Sequence, residues 1–110
     1  MAAEPLTVDK LFDRYCKWVK ADPSRGDVSS LMIEFGMFLI LFGTLYVWML
    51  EPLYLDVFVR TSLRAGFEKG RISREFDLII ELFRRAEAEG WLEGRRNPFP
   101  NLTLTFFDEE

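Results

Sequence analysis

The residues of this chain that could do chemistry are one thiol and several carboxylates, and there is no histidine. The chain therefore lacks the commonest general base and the commonest transition-metal ligand. The single cysteine, Cys16, excludes an internal disulfide. Its place near an apolar helix face favours a buried structural thiol over a reactive one. No glycine-rich phosphate loop or nucleophile-elbow serine occurs. We expect a chain that is not an enzyme, with no catalytic residue, no cofactor, no metal site and no small-molecule substrate.

The carboxylates follow the spacing of a solvated helix face rather than that of an acid–base pair. Four of them belong to one predicted helix: Glu75, Glu81, Glu87 and Glu89. Glu34 differs from these, because it is the one ionisable residue within a long apolar run. A carboxylate at that position could reach a membrane interface, or it could lie deeper with a basic partner or a proton. The sequence leaves both roles open.

Charge and composition point away from nucleic acids and toward contact surfaces. The 110 residues include 14 Lys and Arg against 18 Asp and Glu, for a formal net charge of −4. No face is basic enough to serve as a nucleic-acid footprint. Hydrophobic residues make up 49% of the chain and aromatic residues 15%. A chain of this length forms one small domain, and so rich a supply of apolar groups predicts contacts with other molecules.

The elements that must position these groups begin with a central apolar segment, residues 31–50, LMIEFGMFLILFGTLYVWML. As a helix it would rise about 30 Å, which is the thickness of a bilayer's hydrocarbon core. The sequence therefore predicts a single transmembrane helix over residues 27–51. Gly36 and Gly43 are seven residues apart and fall on nearly the same side of such a helix. We predict that they let a second helix pack closely.

The amino-terminal segment, residues 1–26, contains an amphipathic helix from Thr7 to about Lys20. Its apolar face follows the i, i+3, i+4 spacing. Such a helix suits a membrane interface, and the same face could instead pack on a protein. The expected membrane-interface residues are aromatic residues of this helix and of the far end of the predicted span: Phe12, Tyr15, Trp18, Tyr46 and Trp48.

The carboxyl-terminal segment, residues 52–110, contains a second amphipathic helix from about Ser73 to Glu89, then a glycine stop at Gly90 and an extended tail. Neither the helix nor the tail has enough of its own chain to pack against. We predict that the apolar residues here bind a partner: Phe76, Ile79, Ile80, Phe83, Trp91, Phe99, Phe106 and Phe107. Asn101 begins an N-glycosylation acceptor, which has meaning only if this side faces the secretory lumen.

Two short stretches resemble known families. The charged helix end RRAEAEGWLEG, followed by an extended acid-ended tail, resembles the ESSS-type subunit among the small single-span accessory subunits of mitochondrial respiratory complex I. The stretch LYVWMLEP is similar to the LYMLEP stretch of the small activating subunits of serine palmitoyltransferase. Both resemblances imply a non-catalytic membrane subunit whose partners are the lipid bilayer and the other subunits of a membrane complex.

Three functions are consistent with these observations. The first is an all-α, single-pass accessory subunit of a respiratory complex in the mitochondrial inner membrane, involved in structure or assembly. The second is a regulatory subunit of a lipid-synthesising enzyme in the endoplasmic reticulum. The third is a soluble helical binding domain in which residues 31–50 form a core helix. Nucleic acid is not an expected partner for any of them.

Overall fold

The structure, a computed structural model, describes residues 6–99 together with Leu102 and Leu104. Within them the chain forms five α-helices and no strand, so the predicted all-α class is confirmed. The helices are α1 (Val8–Lys20), α2 (Val28–Glu34), α3 (Gly36–Phe42), α4 (Pro52–Arg64) and α5 (Lys69–Ala88). Two short 3-10 turns connect them, at Pro23–Arg25 and Val47–Met49.

The central apolar segment is not one helix. Helix α2 ends at Glu34, the backbone bends at Phe35, and α3 runs for only seven residues before a turn begins at Gly43. No helix in the described part of the chain is long and apolar enough to cross a membrane. The predicted transmembrane helix over residues 27–51 is therefore wrong, and so is the single-pass membrane location that depended on it.

Hydrogen bonds to distant residues explain why this segment breaks where it does. In a continuous helix the N–H of Phe38 would donate to the carbonyl of Glu34. Here it donates to the Glu75 carboxylate of α5, at 2.7 Å from Oε2. At the other end, the carbonyls of Gly43 and Leu45 accept from the first N–H groups of α1, each at 2.9 Å. Because the backbone finds these partners outside the segment, it can turn without losing hydrogen bonds.

Helices α1 and α5 each bury one apolar face against the rest of the chain, as their periodicity predicts. The centre of the core is a cluster of phenylalanine rings around Phe38, with ring centroids 5.4 to 6.5 Å apart. Its members come from α3, α4, α5 and the segment after α5: Phe38, Phe42, Phe58, Phe83 and Phe99. Burial of such rings contributes about 1.5–3 kcal/mol each, so this cluster joins the broken central segment to the rest of the fold.

Candidate interaction surface

The exposed apolar surface of the molecule is concentrated in one part of the chain. Nine large apolar side chains of the described residues are between 37% and 79% exposed. They all lie between positions 32 and 63: Met32, Ile33, Ile40, Tyr46, Trp48, Met49, Leu53, Val57 and Leu63. None of them belongs to α1 or α5. Single exposed apolar residues are ordinary, whereas a concentration of them indicates a contact surface.

Helices α2 and α3 carry apolar residues on two opposite sides. The inward side is the buried series Leu31, Phe35, Phe38 and Phe42. The outward side repeats at the same helical spacing, and we call it the outer stripe: Met32, Ile33, Gly36, Met37 and Ile40. Ile40 is 79% exposed, and Met37 is half-buried. An outward series at i, i+3, i+4 and i+7 is the pattern that one helix presents to another.

Gly36 forms a gap at the middle of the outer stripe. A Cβ added at this position would meet no other atom of the described chain within 4 Å. Glycine is therefore not required by crowding within the molecule. Gly43 is different, since it is buried and its Cβ would lie 2.5 Å from the Leu39 carbonyl oxygen. The two glycines of the predicted helix-packing stripe thus have different surroundings, and their joint packing against a partner helix stays a prediction.

Glu75 positions the outer stripe from inside the molecule. Its side chain is 1% exposed and caps the start of α3 through the N–H of Phe38. Burial raises the pKa of this carboxyl above its usual value, because desolvation outweighs the opposing effects of the Phe38 N–H and the Arg71 guanidinium. A buried carboxylate that satisfies a helix N-terminus is a structural group. It binds the first turn of α3, directly after the residue, Phe35, at which α2 and α3 are separated.

The stretch of chain that carries the outer stripe contains acidic residues and no basic ones. No lysine or arginine occurs from residue 26 to residue 59, whereas this stretch contains four carboxylates: Asp27, Glu34, Glu51 and Asp56. Asp56 pairs with Arg60 at 3.0 Å on the exposed side of α4. In three dimensions basic residues of other elements also lie beside this surface, because Lys17 and Lys20 line the groove that contains Met32, and Arg95 and Arg96 border the groove beside Trp48.

Two grooves adjoin this surface. One, of about 340 Å³, lies between α1 and α2, with Phe12, Cys16, Val28 and Met32 among its lining residues. Burial raises the pKa of the Cys16 thiol, and the nearby Asp13 carboxylate raises it further. The group is thus a thiol at neutral pH and a poor nucleophile. No cluster that could hold a metal ion occurs among the residues described.

The second groove, of about 280 Å³, lies beside the exposed indole of Trp48 and is bordered by Arg95 and Arg96. Trp48 stacks on Tyr46, with ring centroids 5.9 Å apart. The segment that carries the two arginines is fixed to α5, because Asn97 donates to Glu87 at 3.2 Å and accepts from the N–H of Phe99 at 2.9 Å. This end of the exposed surface is therefore rigid.

Four of the eight predicted partner-binding residues lie inside the molecule. Phe76, Ile79, Phe83 and Phe99 are at most 5% exposed and pack in the chain's own core. Ile80 and Trp91 are half-buried. Phe106 and Phe107 lie outside the described residues. The apolar face of α5 thus finds its partners within this chain.

The predicted membrane-interface residues divide in the same way. Phe12 and Tyr15 are 8% and 6% exposed and contact Phe35 of the central segment. Trp18 is half-buried, with Arg25 3.9 Å above its ring and Arg85 4.5 Å from the ring centroid. Tyr46 and Trp48 are exposed. Only the last pair belongs to the exposed apolar surface.

Sequence reasoning missed the separation of the central segment into an inner side and an outer side. It treated Met32, Ile33 and Ile40 as part of a uniformly apolar helix. The signal that could have found the outer stripe is the position of the phenylalanines, since Phe35, Phe38 and Phe42 all fall on one side of a helix. The aliphatic residues of the outer stripe lie between them on the opposite side.

No protein-family model, curated protein or solved structure matches this chain. The resemblances to complex I and serine palmitoyltransferase subunits stay predictions, and the membrane span that both implied is absent from the described residues.

Proposed function

We propose that this chain is a non-catalytic helical module that binds another protein through its exposed apolar surface. The observation that carries the proposal is the outer stripe, a second apolar side on helices whose first apolar side already fills the core. The proposal keeps the accessory role expected from the sequence and the idea of a helical binding domain. It drops the membrane span.

The residue types of this surface support protein binding. Tryptophan, tyrosine and methionine are enriched in protein interfaces, and here Trp48, Tyr46, Met32 and Met49 are all exposed. Burying an isoleucine or leucine in a contact contributes about 1.5–3 kcal/mol. Several such residues together offset the free energy lost when two molecules associate. Met32, Ile33 and Ile40 lie on helices whose other side is packed in the core, so little further ordering of this part is needed when a partner binds.

The residue chemistry elsewhere supports a non-catalytic role. The pKa of Cys16 is raised, and the carboxylate of Glu75 already accepts a hydrogen bond from the N–H of Phe38. A nucleophile or general base must reach a substrate with the right protonation state. Neither group meets both conditions.

Site-directed photo-crosslinking tests the proposal. The full chain is made with p-benzoylphenylalanine in place of Ile40, and in a matched control in place of Arg84, whose side chain is 71% exposed on α5. In extracts of the cells that make the protein, we expect a product of defined mass at position 40 and none at position 84. The product should disappear when Ile33→Ser and Trp48→Ser are added. Equal crosslinking at positions 40 and 84, or none at position 40, would contradict the proposal.

A further inference from the structure

We infer that the groove beside Trp48 binds an acidic segment of another protein that also carries an apolar side chain. This inference rests on the proposed function and adds the chemistry that the partner presents at one end of the exposed apolar surface. It joins three properties of the groove, which are its lining, its charge and its rigidity. We call it the arginine groove, and the described residues that line it are Val47, Trp48, Leu50, Arg95, Arg96 and Pro98.

Apart from two guanidinium groups, the described side chains that line the arginine groove are apolar or aromatic. Val47 and Leu50 are almost fully buried, Pro98 is half-buried, and the indole of Trp48 is 61% exposed beside them. The volume of about 280 Å³ is below the roughly 300–1,000 Å³ of pockets that enclose a drug-sized ligand. The groove therefore fits one or two side chains of a bound segment better than it fits a whole small molecule.

Both charged side chains among the described lining residues are positive. Glu51 and Glu93 are close to them in the sequence but do not line the groove. Within the described part of the chain, neither the Arg95 nor the Arg96 side chain forms an ion pair or a hydrogen bond. A guanidinium group binds a carboxylate through two parallel hydrogen bonds and also stacks on aromatic rings. Two unpaired guanidinium groups beside an exposed indole therefore favour a carboxylate that lies next to an apolar side chain.

Backbone hydrogen bonds hold both walls of the arginine groove. The N–H of Val47 donates to the carbonyl of Leu6 at 2.9 Å, which fixes the turn that carries Trp48. On the other wall, the N–H of Arg95 donates to the carbonyl of Leu92 at 3.0 Å. Leu92 is buried in the core, so the turn before the two arginines is anchored there. A groove that is already formed loses less conformational entropy when a partner binds.

The charge of the whole chain favours a short acidic segment over an extended polyanion. Nucleic acids bind through many phosphate contacts, and an anionic membrane surface likewise attracts clusters of several basic residues. The arginine groove has two such residues, and the formal net charge of −4 repels a large anion outside the groove. A short segment contacts only the groove and avoids most of that repulsion.

Three fluorescently labelled peptides test the inference. The first, GSDEFDELGS, carries acidic and apolar residues. The second, GSKRFKRLGS, reverses the charges, and the third, GSDEGDEGGS, keeps the acidic residues and lacks the apolar ones. Binding to the full chain is measured by fluorescence anisotropy. We expect the first peptide to bind at least about tenfold more tightly than either of the others, because only it offers both groups. Equal binding of the first peptide and either control, or no binding of the first, would overturn the inference.

Three variants locate the binding. Arg95→Gln/Arg96→Gln removes both guanidinium groups and should weaken the binding of the first peptide at least about tenfold. The matched pair Arg64→Gln/Arg74→Gln removes the same charge from exposed positions of α4 and α5, and it should have little effect. Trp48→Ala removes the exposed indole and should weaken binding about fivefold or more. An equal loss from both arginine pairs, or no loss from Trp48→Ala, would overturn the inference.

Two further measurements address other anionic occupants. The protein should bind neither an oligothymidylate of ten nucleotides nor phosphatidylcholine vesicles that contain phosphatidylglycerol. Binding of either one that is lost in Arg95→Gln/Arg96→Gln would overturn the inference. The chain's own acidic end lies outside the described residues and is tested by Asp108→Asn/Glu109→Gln/Glu110→Gln in the full chain. This variant should bind the first peptide as the wild type does, and a tenfold rise in affinity would assign the groove to that end instead.

The proposed function and this inference fail in different ways. A photo-crosslinked partner at position 40, together with no preference for the acidic and apolar peptide, leaves the proposed function standing and refutes only the acidic segment. If position 40 gives no crosslinked partner, the proposed function itself is contradicted.

Discussion

Helix α5 and the helix pair α2–α3 differ in how many of their apolar residues are exposed. Helix α5 buries Ile72, Phe76, Ile79 and Phe83 and, apart from the buried Glu75, turns most of its charged residues outward. The α2–α3 pair buries Phe35 and Phe38 and turns Ile33 and Ile40 outward. Helix α5 has a single apolar side, and that side is buried in the core. Helices α2 and α3 have two apolar sides, of which one is buried and the other is exposed. The outward side is the surface on which the proposed contact with another protein rests.

The largest expected effect comes from changing the inward side of α3. Phe38→Ala removes a fully buried ring at the centre of the phenylalanine cluster, and it should lower the free energy of unfolding by about 3–5 kcal/mol. Ile40→Ala, two residues away on the outward side, should change it by less than about 0.5 kcal/mol. Urea unfolding of both variants measures the difference. Similar losses from the two would show that the two sides do not differ as described.

The next effect concerns the bond that sets the bend between α2 and α3. Glu75→Ala leaves the buried N–H of Phe38 without its acceptor, and this should lower the free energy of unfolding by about 1–3 kcal/mol. The amide of Phe38 should also exchange with solvent deuterium faster. Asp77→Ala, at an exposed position of α5, is the matched control and should cost less. Unchanged exchange at Phe38 would mean that Glu75 does not hold the bend.

The stability of the wild-type protein relative to Glu75→Gln should depend on pH. Burial raises the folded-state pKa of Glu75 above the unfolded value, so the stability linked to its proton is fully present below the unfolded pKa. It is lost as pH rises through the folded pKa. Glutamine cannot ionise, and it still offers an oxygen to the N–H of Phe38. Between pH 4 and pH 7.5 the free energy of unfolding of the wild type should therefore fall relative to that of the variant as the pH rises. A constant difference would contradict the pKa shift.

The smallest expected effect on stability belongs to the outer stripe. Ile33→Ser/Ile40→Ser should alter the free energy of unfolding by no more than about 1 kcal/mol in total, since both side chains are largely exposed. The same variant should abolish the photo-crosslink expected at the outer stripe, with the crosslinker placed at position 37. A variant that loses several kcal/mol of stability would mean that the stripe supports the fold, and the contrast with α5 would then disappear.

The peripheral helices are the part of the fold that the sequence predicts well. The expected helices, from Thr7 to Lys20 and from Ser73 to Glu89, compare with Val8–Lys20 and Lys69–Ala88 in the structure. Local spacing is enough here, because each helix has one apolar side and a clear polar side. Local spacing does not predict which other elements the apolar side of each helix packs against. Phe76 and Phe83 were expected to need another chain, yet α1, α3 and α4 together supply enough apolar surface to bury them.

The candidate site could not be predicted, since it depends on where the central segment bends. Ile33 and Ile40 face outward only when Phe35 turns toward α1 and Phe38 turns toward α5. In a uniformly apolar stretch of sequence, the residue types do not indicate which side of the helix will be buried in the core. The mistaken transmembrane helix has the same origin, because hydropathy counts apolar residues and does not detect a distant acceptor for a backbone N–H.

The amino-acid order alone determined the helical class, the amphipathic α1 and α5, the lack of histidine, and the lack of basic residues between positions 26 and 59. These are local or compositional properties, and no folding is needed to read them. Tertiary structure decided that the Glu75 carboxylate, 37 positions along the chain, takes the N–H of Phe38. A backbone donor bonds to whichever acceptor the whole fold brings within reach. That choice ended one helix, began another and left an apolar side facing outward.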